Sequence, residues 1–242
     1  MPYVDHGVAS LYFEDRGEGF PLLALAPGGL SSAVDRWPQA AIDPLTACAG
    51  DFRLLAMDQR NAGRSRGPLE VVDPWGAYID DQLAVLDHAG VERFHVIGCC
   101  IGCSYALKLI ERAPERVVAA VLEQPIGLVE ANHEGWVTRR SEWAAGLMEH
   151  RDDVDTASAE RFGAEMFDGD FVGAVSRDFV ASVEHPLLVL PGTDLVHPRE
   201  TGLEIAELAP GAELLDPWKD DEHVAAATLA VRDFLVTHTP SS

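Results

Sequence analysis

Short continuous apolar runs alternate with stretches of helical period along most of this chain. Residues 9–19 read as a strand ending in a glycine-containing turn, and Pro21 to Ala26 is an unbroken apolar run. Arg53 to Met57 and Phe94 to Ile97 are further runs bounded by turn-forming or charged residues. Between them Trp75 to Ala89 carries Ile79, Leu83, Val85 and Leu86 at helical spacing. Ser104 to Glu111 predicts a helix, Arg116 to Leu122 a strand, Pro186 to Leu190 a strand introduced by proline, and Ala212 to Leu215 a short last strand. Val224 to Thr237 predicts a closing helix, with Val224, Leu229, Val231, Phe234 and Leu235 as its apolar positions. Apolar strands separated by helices imply an α/β fold with a mainly parallel central sheet covered on both faces. Residues 126–182 differ from their flanks. Their pattern is helical, with Trp136, Trp143, Leu147, Phe162, Met166, Phe167 and Phe171, and Asp168 to Asp170 suggests a turn within it. They are expected to form a small helical cap inserted between two strands of one domain spanning residues 1–242, since neither an internal repeat nor a low-complexity linker divides the chain.

Within this framework, residues 93–104 read as a buried strand running through Gly98-Cys-Cys100-Ile-Gly102 into a helix. That is the pattern of a nucleophile elbow with Cys100 at its tip. The flanking glycines let strand and helix pack closely around a residue held in a strained conformation. Because the turn opens a helix, the free N–H groups and local field there favour a thiolate over a thiol. The spacing Cys100-Ile-Gly-Cys103 also matches a redox C-x-x-C motif, but the glycine spacing favours the elbow. Cys99 and Cys103 read as small buried packing residues, and Cys48 is remote.

Composition narrows the setting. The 242 residues are 47% hydrophobic, enough for one sizeable core. No apolar run approaches about 18 residues, and the N-terminus lacks a basic-then-apolar leader, so neither a membrane span nor a secretory signal is expected. Clustered cysteines agree with a reducing compartment, and the expected location is cytoplasmic. Forty acidic against 18 basic residues give a net charge of −22, which argues against nucleic acid, anionic membranes and acidic partners. No cofactor is implied. The cysteines crowd one elbow without a histidine pair at ligand spacing, so no metal is expected, and no phosphate-cradling Gly-x-Gly-x-x-Gly follows the first strand.

A cysteine nucleophile needs a base, and the base needs an acid that fixes its orientation. Asp194 follows the strand at Leu187 to Leu190 in Pro-Gly-Thr-Asp, a turn that lifts its carboxylate to the C-terminal edge of the sheet, where open α/β sheets place their sites. His223 follows the last strand in Trp-Lys-Asp-Asp-Glu-His. The order Cys100, Asp194, His223 is nucleophile, acid, base. His197 could line the pocket, with Trp136 and Trp143, but its position reads as a loop residue bonded locally. His95 reads as a packed histidine, and His6, His88, His133, His150, His185 and His238 have no catalytic spacing. Asp58 and Arg60 are read as bracing loops.

These features together resemble the α/β-hydrolase superfamily nearly end to end. Leu11-Tyr-Phe-Glu-Asp-Arg-Gly17 is similar to its opening strand, Met57-Asp-Gln-Arg-Asn-Ala-Gly-Arg-Ser65 to its Asp-x-Arg-x-x-Gly-x-Ser loop, and the elbow and two late positions fall in register with them. The resemblance implies a Cys100-Asp194-His223 triad, with Glu123, at the end of the strand before the cap where some members place the acid, as the alternative to Asp194. Where the family's oxyanion loop carries His-Gly, this chain has Ala26-Pro-Gly-Gly-Leu30. Since backbone amides supply the donors, Gly29, with Leu30 next in line, and Ile101 are assigned to the oxyanion hole. Cysteine in place of the common serine resembles dienelactone hydrolases and cysteine-triad members that act on acyl thioesters, including Dieckmann-type cyclases. The expected function is cofactor-independent hydrolysis of an ester, lactone or thioester through an acyl-cysteine. The alternatives are acyl transfer or cyclisation of a thioester-bound substrate by the same residues, and non-catalytic binding of a small ligand. The expected partner is a mostly apolar, small acyl substrate, free or bound to a coenzyme or carrier; the oligomeric state stays open.

Overall fold

Eight strands among the described residues form one sheet in the order β1-β2-β4-β3-β5-β6-β7-β8. They are β1 (Tyr3–His6), β2 (Ala9–Arg16), β3 (Phe20–Leu25), β4 (Phe52–Met57), β5 (Phe94–Cys99), β6 (Val117–Glu123), β7 (Leu187–Leu190) and β8 (Ala212–Leu214). β2 runs antiparallel to β1 and β4, and every other pairing is parallel. This computed structural model describes residues 2–149 and 151–241, so His150 lies outside the described residues. The expected strands are all present. β1 was not legible because Tyr3-Val-Asp-His lies at the sheet edge, with no residue fully buried and no apolar run.

The central strands explain their continuous apolar sequences: every residue of β5 and β7 is buried, as are Leu22 to Leu25 of β3. Each such leucine contributes about 1.5–3 kcal/mol relative to an exposed one. Helices cover the sheet: α1 (Pro44–Ala47), α2 (Pro74–His88), α3 (Ile101–Arg112), α7 (Arg199–Leu208) and α8 (Val224–His238). Asp73 caps α2 by accepting from the Gly76 amide at 2.9 Å, with Pro74 in the first turn, where its missing N–H costs nothing. The loop after β4 is braced as expected. Asp58, fully buried, accepts from the Val34 and Arg64 amides and from the Arg64 guanidinium, while Arg60 makes two 2.7 Å bonds to Asp81. His95 bonds Thr239 Oγ1 at 2.9 Å beside Phe20 and Phe52, and burial pushes its pKa down to about 4, so it is neutral.

Between β6 and β7 lie a 3₁₀ turn (Glu130–Asn132) and three helices, α4 (His133–Met148), α5 (Thr156–Phe167) and α6 (Arg177–Ala181). The aromatic positions join α4 to α5: Trp143 stacks on Phe162 and Trp136 on Phe167, with centroids 4.9 and 5.3 Å apart. No helix among the described residues is long and apolar enough to cross a membrane.

Candidate active site

The elbow is built as its glycines require. Cys100 has φ 61° and ψ −120°, a left-handed conformation that a side chain occupies only under constraint, and it stands immediately before α3. A Cβ on Gly98 would collide with the Gly102 carbonyl, and one on Gly102 with the Leu25 carbonyl, so both flanking positions exclude side chains. The Cys100 amide donates to the Glu123 carbonyl at 3.0 Å, which ties the tip to the end of β6. Cys99 and Cys103 are fully buried, and burial raises both thiols well above the usual range. Cys103 Sγ donates to the Gly98 and Glu123 carbonyls, a structural role.

The histidine brought to Cys100 is His197, not His223. The turn after β7 carries Asp194 and His197 three residues apart. Asp194 Oδ1 accepts from the amides of Val196 and His197 at 2.9 and 3.0 Å, folding the turn around its own carboxylate. The same carboxylate holds His197 Nδ1 at 3.0 and 3.1 Å. Nε2 is therefore turned the other way; it is buried and closes no hydrogen bond among the described residues, while the imidazole shares a pocket with the Cys100 sulfur and each shifts the other's pKa. Gly192 makes the turn possible, because a Cβ there would run into the His197 backbone. His223 instead caps the exposed start of α8, with Nδ1 2.6 Å from Asp220 Oδ1 and a side chain 41% exposed.

The electrostatics of the two groups are coupled. Burial alone would raise the Cys100 thiol, but the hydrogen bond and charge of His197, with the amides of Gly28 and Ile101, bring it below its ordinary value. Burial likewise opposes protonation of His197, and Cys100 first and Asp194 second reverse that, raising its pKa. Asp194 is lowered, its burial being outweighed by His197. The arrangement shifts the thiol and the imidazole towards their charged forms, with the imidazole held by a carboxylate.

The amides of Ile101 and of Gly28, one residue before Gly29, both act on the Cys100 sulfur. The Gly28 φ of 123° sets that amide's direction, while Gly29 and Leu30 belong to a 3₁₀ turn and line the adjoining space. That space is a pocket of about 560 Å³, lined mainly by apolar groups that include Ile126, Trp136, Trp143 and Phe167, with Cys100 and His197 also on its lining. Both expected tryptophans thus line the pocket that holds Cys100.

Sequence reasoning missed Gln124, whose φ of 44° turns it into the pocket just after β6. Lys219 Nζ holds its Oε1 at 2.6 Å. Glu123, the alternative acid, is fully buried: Oε1 accepts from the Ile42 amide at 3.2 Å, and burial pushes its pKa up to about 8. Among the described residues no group of three or more His, Cys, Asp or Glu side chains is arranged to hold a metal ion.

A sheet of this order with a strand-turn-helix elbow at its C-terminal edge defines an α/β-hydrolase architecture, and a family model for the alpha/beta hydrolase fold matches residues 21–181. The chain belongs to this family. It is 28% identical to a 2-hydroxymuconate semialdehyde hydrolase of Pseudomonas sp. strain CF600, the match covering 91% of this chain and 88% of that protein. It is 36% identical over 121 residues to a putative carbamate hydrolase, RutD, of Azorhizobium caulinodans; this match spans 48% of the chain and less than half, 42%, of that relative. The solved meta-cleavage product hydrolase CumD of Pseudomonas fluorescens IP01 shares the fold, with a TM-score of 0.71 at 20% identity over 96% of each chain.

Proposed function

We propose that this protein is a cofactor-independent hydrolase that cleaves an ester, lactone or thioester through an acyl intermediate on Cys100, with His197 as its base and Asp194 as the acid that orients it. The observation that carries this reading is that the elbow cysteine shares one pocket with a histidine whose Nδ1 is held by a carboxylate. The thiolate adds to the carbonyl carbon, and the amides of Gly28 and Ile101 stabilise the oxyanion that forms. The tetrahedral adduct collapses, the carbon-oxygen or carbon-sulfur bond to the leaving group breaks, and His197 gives its proton to the departing alcohol or thiol. His197, now neutral, takes a proton from water as that water attacks the acyl-cysteine, and the acid product leaves. Hydrolase relatives of the same family support hydrolysis as the outcome.

The aromatic lining of the pocket supports a second reading, in which a nucleophile other than water accepts the acyl group and the product is a transferred chain or a ring. Mass spectrometry of the intact protein and its peptides, after brief exposure to acyl esters, lactones and thioesters, tests the first. An acyl adduct on Cys100 that persists in His197→Ala and is absent in Cys100→Ala is the expected result. Adduct formation followed by a product that has not consumed water would select the second reading. Absence of both adduct and turnover across the panel would overturn catalysis in favour of ligand binding.

A further inference from the structure

The pocket beside Cys100 borders a second cleft, of about 440 Å³, with which it shares Ser31, Glu142 and Trp143. The two spaces differ in character. The first is dominated by aromatic and aliphatic groups, whereas the second is lined by Asn61, Arg66 and Arg151. Arg151 is neutralised, its guanidinium bonding both oxygens of Asp153 at 2.6 Å, and it reaches Asn61 Oδ1 at 2.8 Å. Arg66 is held differently. Its Nη1 donates to the carbonyls of Gly63 and Ser65, both at 2.7 Å, so the guanidinium is anchored by neutral groups, and it has no carboxylate partner among the described residues. Arg139, on the α4 side of the first pocket, likewise has no ion-pair or hydrogen-bond partner among the described residues.

In a chain with 40 acidic and 18 basic residues, an arginine beside a cavity would ordinarily find a carboxylate, as Arg16, Arg53 and Arg177 do. Arg66 retains donors in a fixed fork suited to a carboxylate or phosphate. The overall charge of −22 does not cancel this locally, because charges beyond roughly 8 Å are largely screened at physiological ionic strength. We propose that this cleft is a head-group subsite, in which Arg66 binds an anionic carboxylate or phosphate of a substrate whose apolar acyl portion lies against Trp136 and Trp143 beside Cys100. The inference rests on the hydrolase reading for the chemistry at Cys100 and extends it to the substrate class, an apolar acyl chain with an anionic end. Glu142, at the rim common to both spaces and without a partner among the described residues, repels an anion there and sets it towards Arg66.

The test compares 4-nitrophenyl hexanoate with its ω-carboxylate and ω-phosphate counterparts in wild type, Arg66→Gln and Glu142→Gln. The expected result is a preference for at least one anionic ester over the neutral one. In Arg66→Gln that preference falls about tenfold through KM, as for loss of a charge-assisted hydrogen bond, and in Glu142→Gln it rises. Which anion is preferred identifies the head group. Equal use of neutral and anionic esters, or a preference untouched by Arg66→Gln, would overturn the subsite. Adipic acid monoamide titrated into Cys100→Ala and Cys100→Ala/Arg66→Gln separates the two proposals. Arg66-dependent binding without turnover of any ester would refute the hydrolase reading and leave the subsite standing. Acylation of Cys100 by the neutral ester, with no Arg66-dependent binding, would do the reverse.

Discussion

Cys100 and His197 each oppose the effect of their own burial. An isolated thiol at the elbow would be pushed up in pKa and an isolated imidazole down, and each is shifted back towards its charged form by the other. Removing one member therefore exposes the burial effect on its partner. In His197→Ala the Cys100 thiol should titrate above the ordinary range, so its alkylation by iodoacetamide at pH 7 should slow by about tenfold or more. His223→Ala, which alters an exposed pair with Asp220, should alkylate as wild type does. Mapping the alkylated peptide across a pH series checks both. Equal slowing in the two variants would remove His197 from the proposed role.

At the scale of elements, one turn between β7 and α7 presents both the carboxylate and the imidazole, so their relative geometry depends on that turn alone. Its outer end is fastened to the segment before α4 by Asn132, whose Nδ2 donates to the carbonyls of Gly127 and Leu195 at 2.7 and 2.9 Å while its Oδ1 accepts from the Val129 amide. Its inner end is fixed by Trp218, whose indole N–H donates to the Pro191 carbonyl at 2.8 Å. Asn132→Ala leaves two carbonyls without that donor and should cost about 1–3 kcal/mol of stability. Because the turn carrying the proposed base loosens, kcat should fall more than KM changes. Thermal melts and steady-state kinetics with one ester measure the two effects. Unchanged kcat in a destabilised protein would show that the anchor serves stability only.

For the whole molecule, the sheet order sets β5, β6 and β7 side by side, and so gathers Cys100, Glu123 with Gln124, and the Asp194 turn at one edge. This assembly buries Glu123 as the neutral acid, with a pKa of about 8 against an ordinary value of 4.5. The folded state thus holds a proton that the unfolded chain releases. Its contribution to stability is complete below the unfolded pKa, declines as pH rises above it, and is lost once pH passes about 8. Wild type should accordingly lose Tm between pH 5 and 9, and Glu123→Gln, which keeps the shape without the proton, should show a flatter profile. Parallel profiles in the two proteins would show that Glu123 does not titrate in the fold.

The local features of the site were legible because local chemistry sets them. Glycines at 98 and 102 around a cysteine specify an elbow wherever strand and helix meet so closely, and Pro-Gly-Thr-Asp after an apolar strand specifies a carboxylate at the sheet edge. The parallel core followed from unbroken apolar runs, since strands covered on both faces have no polar side to show. The histidine was not legible in the same way. Asp194 to His197 and Asp220 to His223 carry the same spacing, and each pair closes the same local hydrogen bond. Nothing within either turn distinguishes a buried imidazole beside a sulfur from an exposed one at a helix start. The difference was decided by tertiary structure, because a place in the pocket with Cys100 depends on how separate loops pack over the sheet edge rather than on any loop's own sequence.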